Sequence, residues 1–175
     1  ALRKLQAENL IRTALVIDLD AHKGDGTAVL TREDSSITTL SIHMARGWPL
    51  DSDAYDRQGR LNPSFVPSDI DIPVAPGEEN LYVAKLQDGL EKLVAIGPPD
   101  MAIVLAGSDP YDKDELPSTA ELKLSLKQLK ERDHLVYHYL KDQKIPRAYV
   151  TAGGYGERSW EVDWQFIEWA LLDNL

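Results

Sequence analysis

The sequence contains no cysteine, and only two phenylalanines, two methionines and four histidines among its 175 residues. Without thiols there is no disulfide framework, no thiolate nucleophile and no cysteine-held metal, so any ion must be bound by His, Asp and Glu. The absence fits a cytoplasmic protein. No apolar run is long enough to cross a bilayer, and no basic-then-apolar leader opens the chain, so no membrane is expected. Basic charge is also scarce: 19 Lys and Arg face 29 Asp and Glu, a formal net charge of −10. Such a surface repels nucleic-acid phosphates, which excludes free nucleic acid as a partner. It suits a cationic substrate, although the same acidity is what solubility alone requires.

What is present is ordinary for a globular chain, with 43% hydrophobic and 27% charged residues. Residues 1–175 are expected to form one domain with a real core. Helical spacing over Ala1 to Arg12 predicts an opening helix that lacks a convincing N-cap. Four short apolar runs, Ala14 to Ile17, Ile37 to Ile42, Met101 to Ala106 and Ala148 to Thr151, predict strands buried on both faces. Tyr82, Leu86, Leu90, Leu93 and Val94 share one helical face that ends near Gly97-Pro98-Pro99. Ser118-x-x-Glu121 reads as a capping box opening a helix through Leu122, Leu126 and Leu129 to about Asp142. A last helix is expected over Trp160 to Leu172. Met44 to Pro67, rich in Pro, Gly, Ser and Asp, reads as a long loop.

Strands alternating with helices predict a parallel α/β sheet, whose ligands gather beyond the carboxyl ends of the strands. The polar clusters fall there: Asp18-Leu19-Asp20-Ala21-His22, His43, Gly107-Ser108-Asp109 and Gly153-Gly154-Tyr155. In extended chain, residues two apart point the same way. Asp20 and His22 can therefore meet one ion, with Asp109 a third ligand from a neighbouring strand and a fourth position open, as in a catalytic zinc site. A strand-end carboxylate paired with a histidine, and a Ser-Asp-Pro turn, are the plainer readings of the same residues.

Asp18-Leu19-Asp20-Ala21-His22-Lys23-Gly24-Asp25-Gly26-Thr27 resembles the Asp-x-Asp-x-His-x-Gly-Asp/Asn-Gly-Thr signature of the histone deacetylase superfamily. That superfamily includes acetylpolyamine amidohydrolases and acetoin-utilisation-type proteins. Ser41-Ile42-His43, Ala106-Gly107-Ser108-Asp109 and Ala152-Gly153-Gly154-Tyr155 resemble three further family motifs, in the family's order. The similarity runs over about residues 13 to 155. It implies a three-layer arginase/deacetylase-like fold and zinc-dependent removal of an acetyl or other acyl group from a lysine or polyamine amine. By the same resemblance Asp20, His22 and Asp109 are zinc ligands, and Tyr155 hydrogen-bonds the substrate carbonyl. Gly153 and Gly154 let the backbone approach the substrate, and Trp48 matches an aromatic wall of the acyl tunnel. Asp18, Ser41 and the backbone of Asp20, His22 and Ile42 match a structural potassium site. Gly24 and Tyr111 stand where the two-manganese ureohydrolases carry further ligands, which favours one metal; iron or cobalt suits the ligand set as well as zinc.

The family's proton-transfer group is a His-His pair upstream of the first zinc motif. None of His22, His43, His134 and His138 matches it; His134 and His138, four apart on one helix, read as surface or packing residues. Asp18 and Asp25 match the carboxylates that orient that pair. The resemblance therefore covers the C-terminal portion of the family's fold, with its N-terminal strands expected from a missing segment or a second chain. The isolated chain is expected to be inactive. A non-catalytic zinc-binding subunit is the rival expectation.

Overall fold

Alternation along β1 (Ala14–Asp18) separates two sets of buried side chains. Leu15 and Ile17 face one way, with Leu40, Ile42, Ala102 and Val104; Ala14 and Val16 face the other, with Ile37. This period-two pattern is what a strand covered on both sides requires. The computed structural model describes residues 1–173. In it β1 is the centre of a five-stranded, wholly parallel sheet of order β3-β2-β1-β4-β5. The other strands are β2 (Ile37–Met44), β3 (Ile70–Val74), β4 (Met101–Ala106) and β5 (Arg147–Thr151). The helices are α1 (Leu2–Ala7), α2 (Asp25–Thr31), α3 (Tyr82–Val94), α4 (Leu126–Asp142) and α5 (Trp160–Leu172). No helix among the described residues is long and apolar enough to cross a membrane.

The larger core lies between the sheet and α3 and α4, through Leu86, Leu90, Leu93, Leu129, Val136 and Leu140. On the opposite face Leu2 of α1 packs with Ala14, Val16 and Ile37, while Leu30 of α2 and Leu10 remain exposed. From β1 the chain builds β2 and β3 on one side, then returns to build β4 and β5 on the other. That reversal opens a crevice beyond the carboxyl ends of β1 and β4.

Several expectations shift in position. The opening helix stops at Ala7, because Asn9 turns left-handed (φ 57°) and Leu10 N–H closes back on the Leu5 carbonyl. β2 runs on to Met44, so His43 lies inside the strand and not after it. The helix expected from Ser118 starts instead at Leu126, under a capping box of Ser125 and Gln128. Ser118 sits in a single 3-10 turn, Pro117–Thr119, and Glu121 is drawn away into an ion pair with Arg46. β3 and α2 were not expected; Asp71 and Pro73 interrupt the apolar run of β3, which an edge strand tolerates. The loop expected from Met44 begins after it, at residue 45, and runs to 67 with one 3-10 turn at Pro63–Phe65.

His134 and His138 pack, as expected, against α5. The His134 ring stacks on Trp169 at 3.5 Å between centroids, and His138 meets the same indole edge-on at 5.3 Å. Burial, with the charges of Lys130 and His138, pushes the His134 pKa down, against the pull of Asp173. A histidine favoured neutral in the fold adds stability above its unfolded pKa, lost as pH falls through the folded value. Asp18 and His22, whose pKa values are raised, work in the opposite sense, so the His134 contribution is read by difference. Between about pH 7 and about pH 5 the melting temperature of His134→Phe should shift upward relative to wild type; equal slopes would show that this ring does not titrate against the packing. Separately, Ser125→Ala should cost about 1 kcal/mol in chemical denaturation through loss of the α4 cap.

Candidate metal centre

Asp18, the last residue of β1, starts the site. Its Oδ1 accepts the Asp20 N–H at 3.1 Å, turning the chain so that the next carboxylate enters the crevice. Burial, with the neighbouring charges of Asp20 and Asp109, pushes its pKa up to about 7. Asp18 pairs across the ladder with Ser41, whose hydroxyl accepts the Gly24 N–H at 3.3 Å. The residues expected around potassium are thus neighbours: Asp18 and Ser41 in adjacent strands, Ile42 beside them in β2, and Asp20 and His22 in the turn.

Asp20 is held at both oxygens. Oδ1 accepts the His22 N–H at 2.9 Å and also faces His22 Nδ1 at 2.9 Å; Oδ2 accepts the Gly153 N–H at 2.9 Å. Burial opposes its charge, but these hydrogen bonds keep the carboxyl below the usual range. Asp109, fully buried beyond β4, accepts the Ala21 N–H on Oδ1 at 3.0 Å. Its Oδ2 is buried without a hydrogen bond of good geometry, 3.2 Å from His22 Nδ1. Burial and the charge of Asp20 push the Asp109 pKa up.

One ligand atom from each of Asp20, His22 and Asp109 lies within 4.8 Å of the others, and theirs is the sole such group of three among the described residues. His22 Nδ1 points between the two carboxylates while Nε2 lies 3.0 Å from Ser118 Oγ. This is how a second partner fixes the tautomer and plane of a metal-bound imidazole. Although burial works against its charge, Asp109 and Asp20 raise the His22 pKa to about 9. The imidazolium thus offsets two carboxylates that face it. A buried carboxylate oxygen without a well-formed hydrogen bond, beside a second carboxylate and an imidazole nitrogen, fits a divalent cation that takes O and N ligands.

The surrounding backbone is shaped to the cluster. A Cβ on Gly153 would stand 2.5 Å from carboxylate atoms of both Asp109 and Asp20, and one on Gly107 2.7 Å from Asp20 Cα. Any side chain at either position would displace the ligands. Ser108 holds the Gly153 carbonyl through its N–H (2.6 Å) and hydroxyl (3.1 Å). Asp114 accepts the Tyr155 and Gly156 N–H groups at 2.7 and 3.2 Å, anchoring the tyrosine loop from the β4–α4 connection. The Tyr155 ring itself is exposed; slight burial and the charges of Asp20, Asp109 and Asp114 push its pKa up. Trp48 presents its ring to His22, edge to face, at 5.1 Å.

Two further residues of the motifs bond outside the three-residue cluster. Asp25 opens α2 and accepts the Ser64 hydroxyl at 2.9 Å, tying the long loop to that helix. His43 is buried in β2, with Nδ1 2.8 Å from the Met44 carbonyl oxygen and Nε2 3.6 Å from Asp71. Asp71 is in turn gripped by buried Lys23, at 2.7 Å to each oxygen. Four contributors to the site are not marked as such by any motif. Ser118 and Asp114 lie in an irregular connection. Lys23 sits at a variable position of the signature. Arg132 lies on α4, its fully buried guanidinium donating to the carbonyls of Gly107 (2.7 Å) and Leu19 (3.3 Å). No periodicity marks any of them.

Comparison with known proteins places this geometry in a family. The histone deacetylase domain model matches residues 1–171. Histone deacetylase 2 of Arabidopsis thaliana is 28% identical over 158 residues, covering 90% of this chain and 38% of that protein. The acetoin utilization protein AcuC of Staphylococcus aureus (strain MRSA252) is 26% identical over 172 residues, covering 96% and 43%. The acetylpolyamine aminohydrolase from Burkholderia pseudomallei superposes with a TM-score of 0.73 at 20% identity, covering 95% of this chain and 46% of that one. A histone deacetylase homolog from Aquifex aeolicus gives 0.67 at 21% identity, covering 93% and 43%. The chain thus spans less than half the length of these proteins. With a family model matched over nearly its whole length, the chain belongs to the histone deacetylase domain family.

Proposed function

We propose that this chain carries the metal-binding and carbonyl-polarising half of a zinc-dependent amide hydrolase that removes an acetyl or other acyl group from a lysine or polyamine amine. The observation that carries the reading is the Asp20–His22–Asp109 cluster, in which the buried Asp109 Oδ2 has His22 Nδ1 beside it at 3.2 Å but no well-formed hydrogen bond. Family membership and relatives named as deacetylases support the reaction class.

Zinc held by these three residues supplies Lewis acidity to the amide carbonyl and lowers the pKa of water beside it. Tyr155 Oη donates a hydrogen bond to the carbonyl oxygen as that oxygen gains negative charge. Asp114 accepts the Tyr155 N–H and steadies the backbone that carries the ring. Gly153 and Gly154 let the scissile amide approach. Trp48, against His22 and otherwise exposed, forms one wall for the acyl group. Asp18, Ser41 and the neighbouring backbone of Asp20, His22 and Ile42 hold a structural potassium ion. A net charge of −10 favours cationic amine substrates.

A general base is assigned outside residues 1–175. Among the described residues His22 is a ligand, His43 is buried in β2, and His134 and His138 pack on Trp169. The proton-transfer histidine pair then belongs to a further segment or a second chain, which Asp18 and Asp25 help to orient. The thinly covered sheet face at Ile103 and Leu105, with exposed Leu30 of α2 beside it, and the β5 edge give that segment a place to pack. The engaged histidines also support a second reading, a non-catalytic zinc-binding subunit.

Two outcomes are expected. The chain should bind one zinc by calorimetric titration, and Asp109→Asn and His22→Ala should each abolish stoichiometric binding while circular dichroism is unchanged; retained binding would remove the reading. In the complete protein, Tyr155→Phe should lower kcat toward an acetyl-lysine peptide by about a hundredfold or more without loss of zinc. A complete protein that binds zinc but hydrolyses neither acetyl-lysine nor acetylpolyamine would establish the non-catalytic reading instead.

A further inference from the structure

Arg132 is charged and only 1% exposed, the largest of the fully buried side chains. An apolar side chain of similar size would fill its space with a smaller desolvation penalty. What it could not supply is the set of donors. Nε donates to Asp133 Oδ1 at 2.8 Å, which fixes and neutralises the guanidinium. Nη1 donates to the Gly107 carbonyl at 2.7 Å and the Leu19 carbonyl at 3.3 Å.

Those two carbonyls have a particular place. The β1–β4 register ends at Asp18 opposite Leu105, and the Leu19 N–H still bonds the Leu105 carbonyl at 3.0 Å. Beyond that point the ladder gives way to the turns that carry the ligands. Leu19 immediately precedes Asp20, and Gly107 precedes Asp109 by two residues. The same guanidinium nitrogen therefore ties both strand extensions just before each delivers its carboxylate. A rigid, planar fork can hold two carbonyls and a carboxylate at once, as a flexible ammonium cannot.

We propose that Arg132 is a positioning residue for the metal centre: it sets the separation of Asp20 and Asp109 from below, with Asp133 as its counter-charge. The inference rests on the metal-binding reading above, and its test includes a readout that needs no metal. The Ala21 N–H bonds Asp109 Oδ1 and the Gly153 N–H bonds Asp20 Oδ2, so these two amides report where the carboxylates stand.

The experiment compares wild type with Arg132→Lys and with the double variant Arg132→Met/Asp133→Asn, which leaves no unpaired charge in the core. Amide hydrogen exchange is followed by NMR in the metal-free protein, and zinc affinity is measured by titration. In both variants Ala21 and Gly153 should exchange at least about tenfold faster relative to the helix-interior amides of Leu86 and Leu90. Zinc affinity should fall by about 10- to 100-fold, the usual effect of losing a group that orients a ligand. Uniform acceleration of all core amides, or local protection equal to wild type, would overturn the proposal and leave Arg132 a packing residue. If the double variant does not fold, Arg132→Lys, which keeps its charge beside Asp133, decides alone. Wild-type protein that fails to bind zinc would refute the metal-centre reading, while the exchange comparison would still judge Arg132.

Discussion

The mutual repulsion of buried carboxylates at the ends of β1 and β4 is the constraint around which the structure is arranged. Asp18, Asp20 and Asp109 interact electrostatically inside the fold, and burial pushes two of the three pKa values up. An arrangement of this kind persists only if hydrogen bonds and a cation offset the charge. Backbone N–H groups from Asp20, His22, Ala21 and Gly153 supply the first. The His22 imidazolium, with its pKa raised to about 9, supplies a provisional cation. A metal ion would take that role better, since one ion could meet both carboxylates and the ring nitrogen together.

Much of the surrounding sequence follows from holding that cluster open. The glycines at 107 and 153 leave room that a methyl group would close. Ser118 orients the imidazole from behind, and Ser108 and Asp114 pin the loop carrying Tyr155. The buried Arg132–Asp133 pair is costly to break: removing one partner of such a pair typically destabilises by about 3–5 kcal/mol. It lies beneath both turns that carry the Asp20 and Asp109 carboxylates, with Nη1 donating to the carbonyls of Leu19 and Gly107. The topology makes the rest possible, because the reversal of strand order at β1 places two independent strand ends beside one crevice.

How much of this was legible depended on whether the signal was local. Strands β1 and β4 are nearly continuous apolar runs, β2 sets Ile37, Leu40, Ile42 and Met44 among polar residues, and α5 follows the expected bounds at both ends. The clustered residues Asp20, His22 and Asp109 could be picked out because each motif sits at a strand end, where polar residues interrupt an apolar run. β3 was hidden by Asp71 and Pro73, residues that serve a lysine partner and an edge. Two capping-box patterns stand seven residues apart, at Ser118 and Ser125, and composition alone does not choose between them; His22 claims the first. Arg132 falls on the core-facing stripe of α4, three residues after Leu129, yet its carbonyl partner Leu19 lies 113 residues away. Contacts over that separation leave no trace in a single sequence.

The central claim is that one metal ion is bound by Asp20, His22 Nδ1 and Asp109. Its most direct test is an anomalous difference map recorded at the zinc absorption edge from crystals grown with zinc. The account predicts a single peak within bonding distance of those three side chains, with an open position facing Tyr155 and Trp48. Two peaks in the crevice would indicate a two-metal, ureohydrolase-like centre. Density at other residues, or none in a protein that is folded and zinc-saturated, would contradict the account.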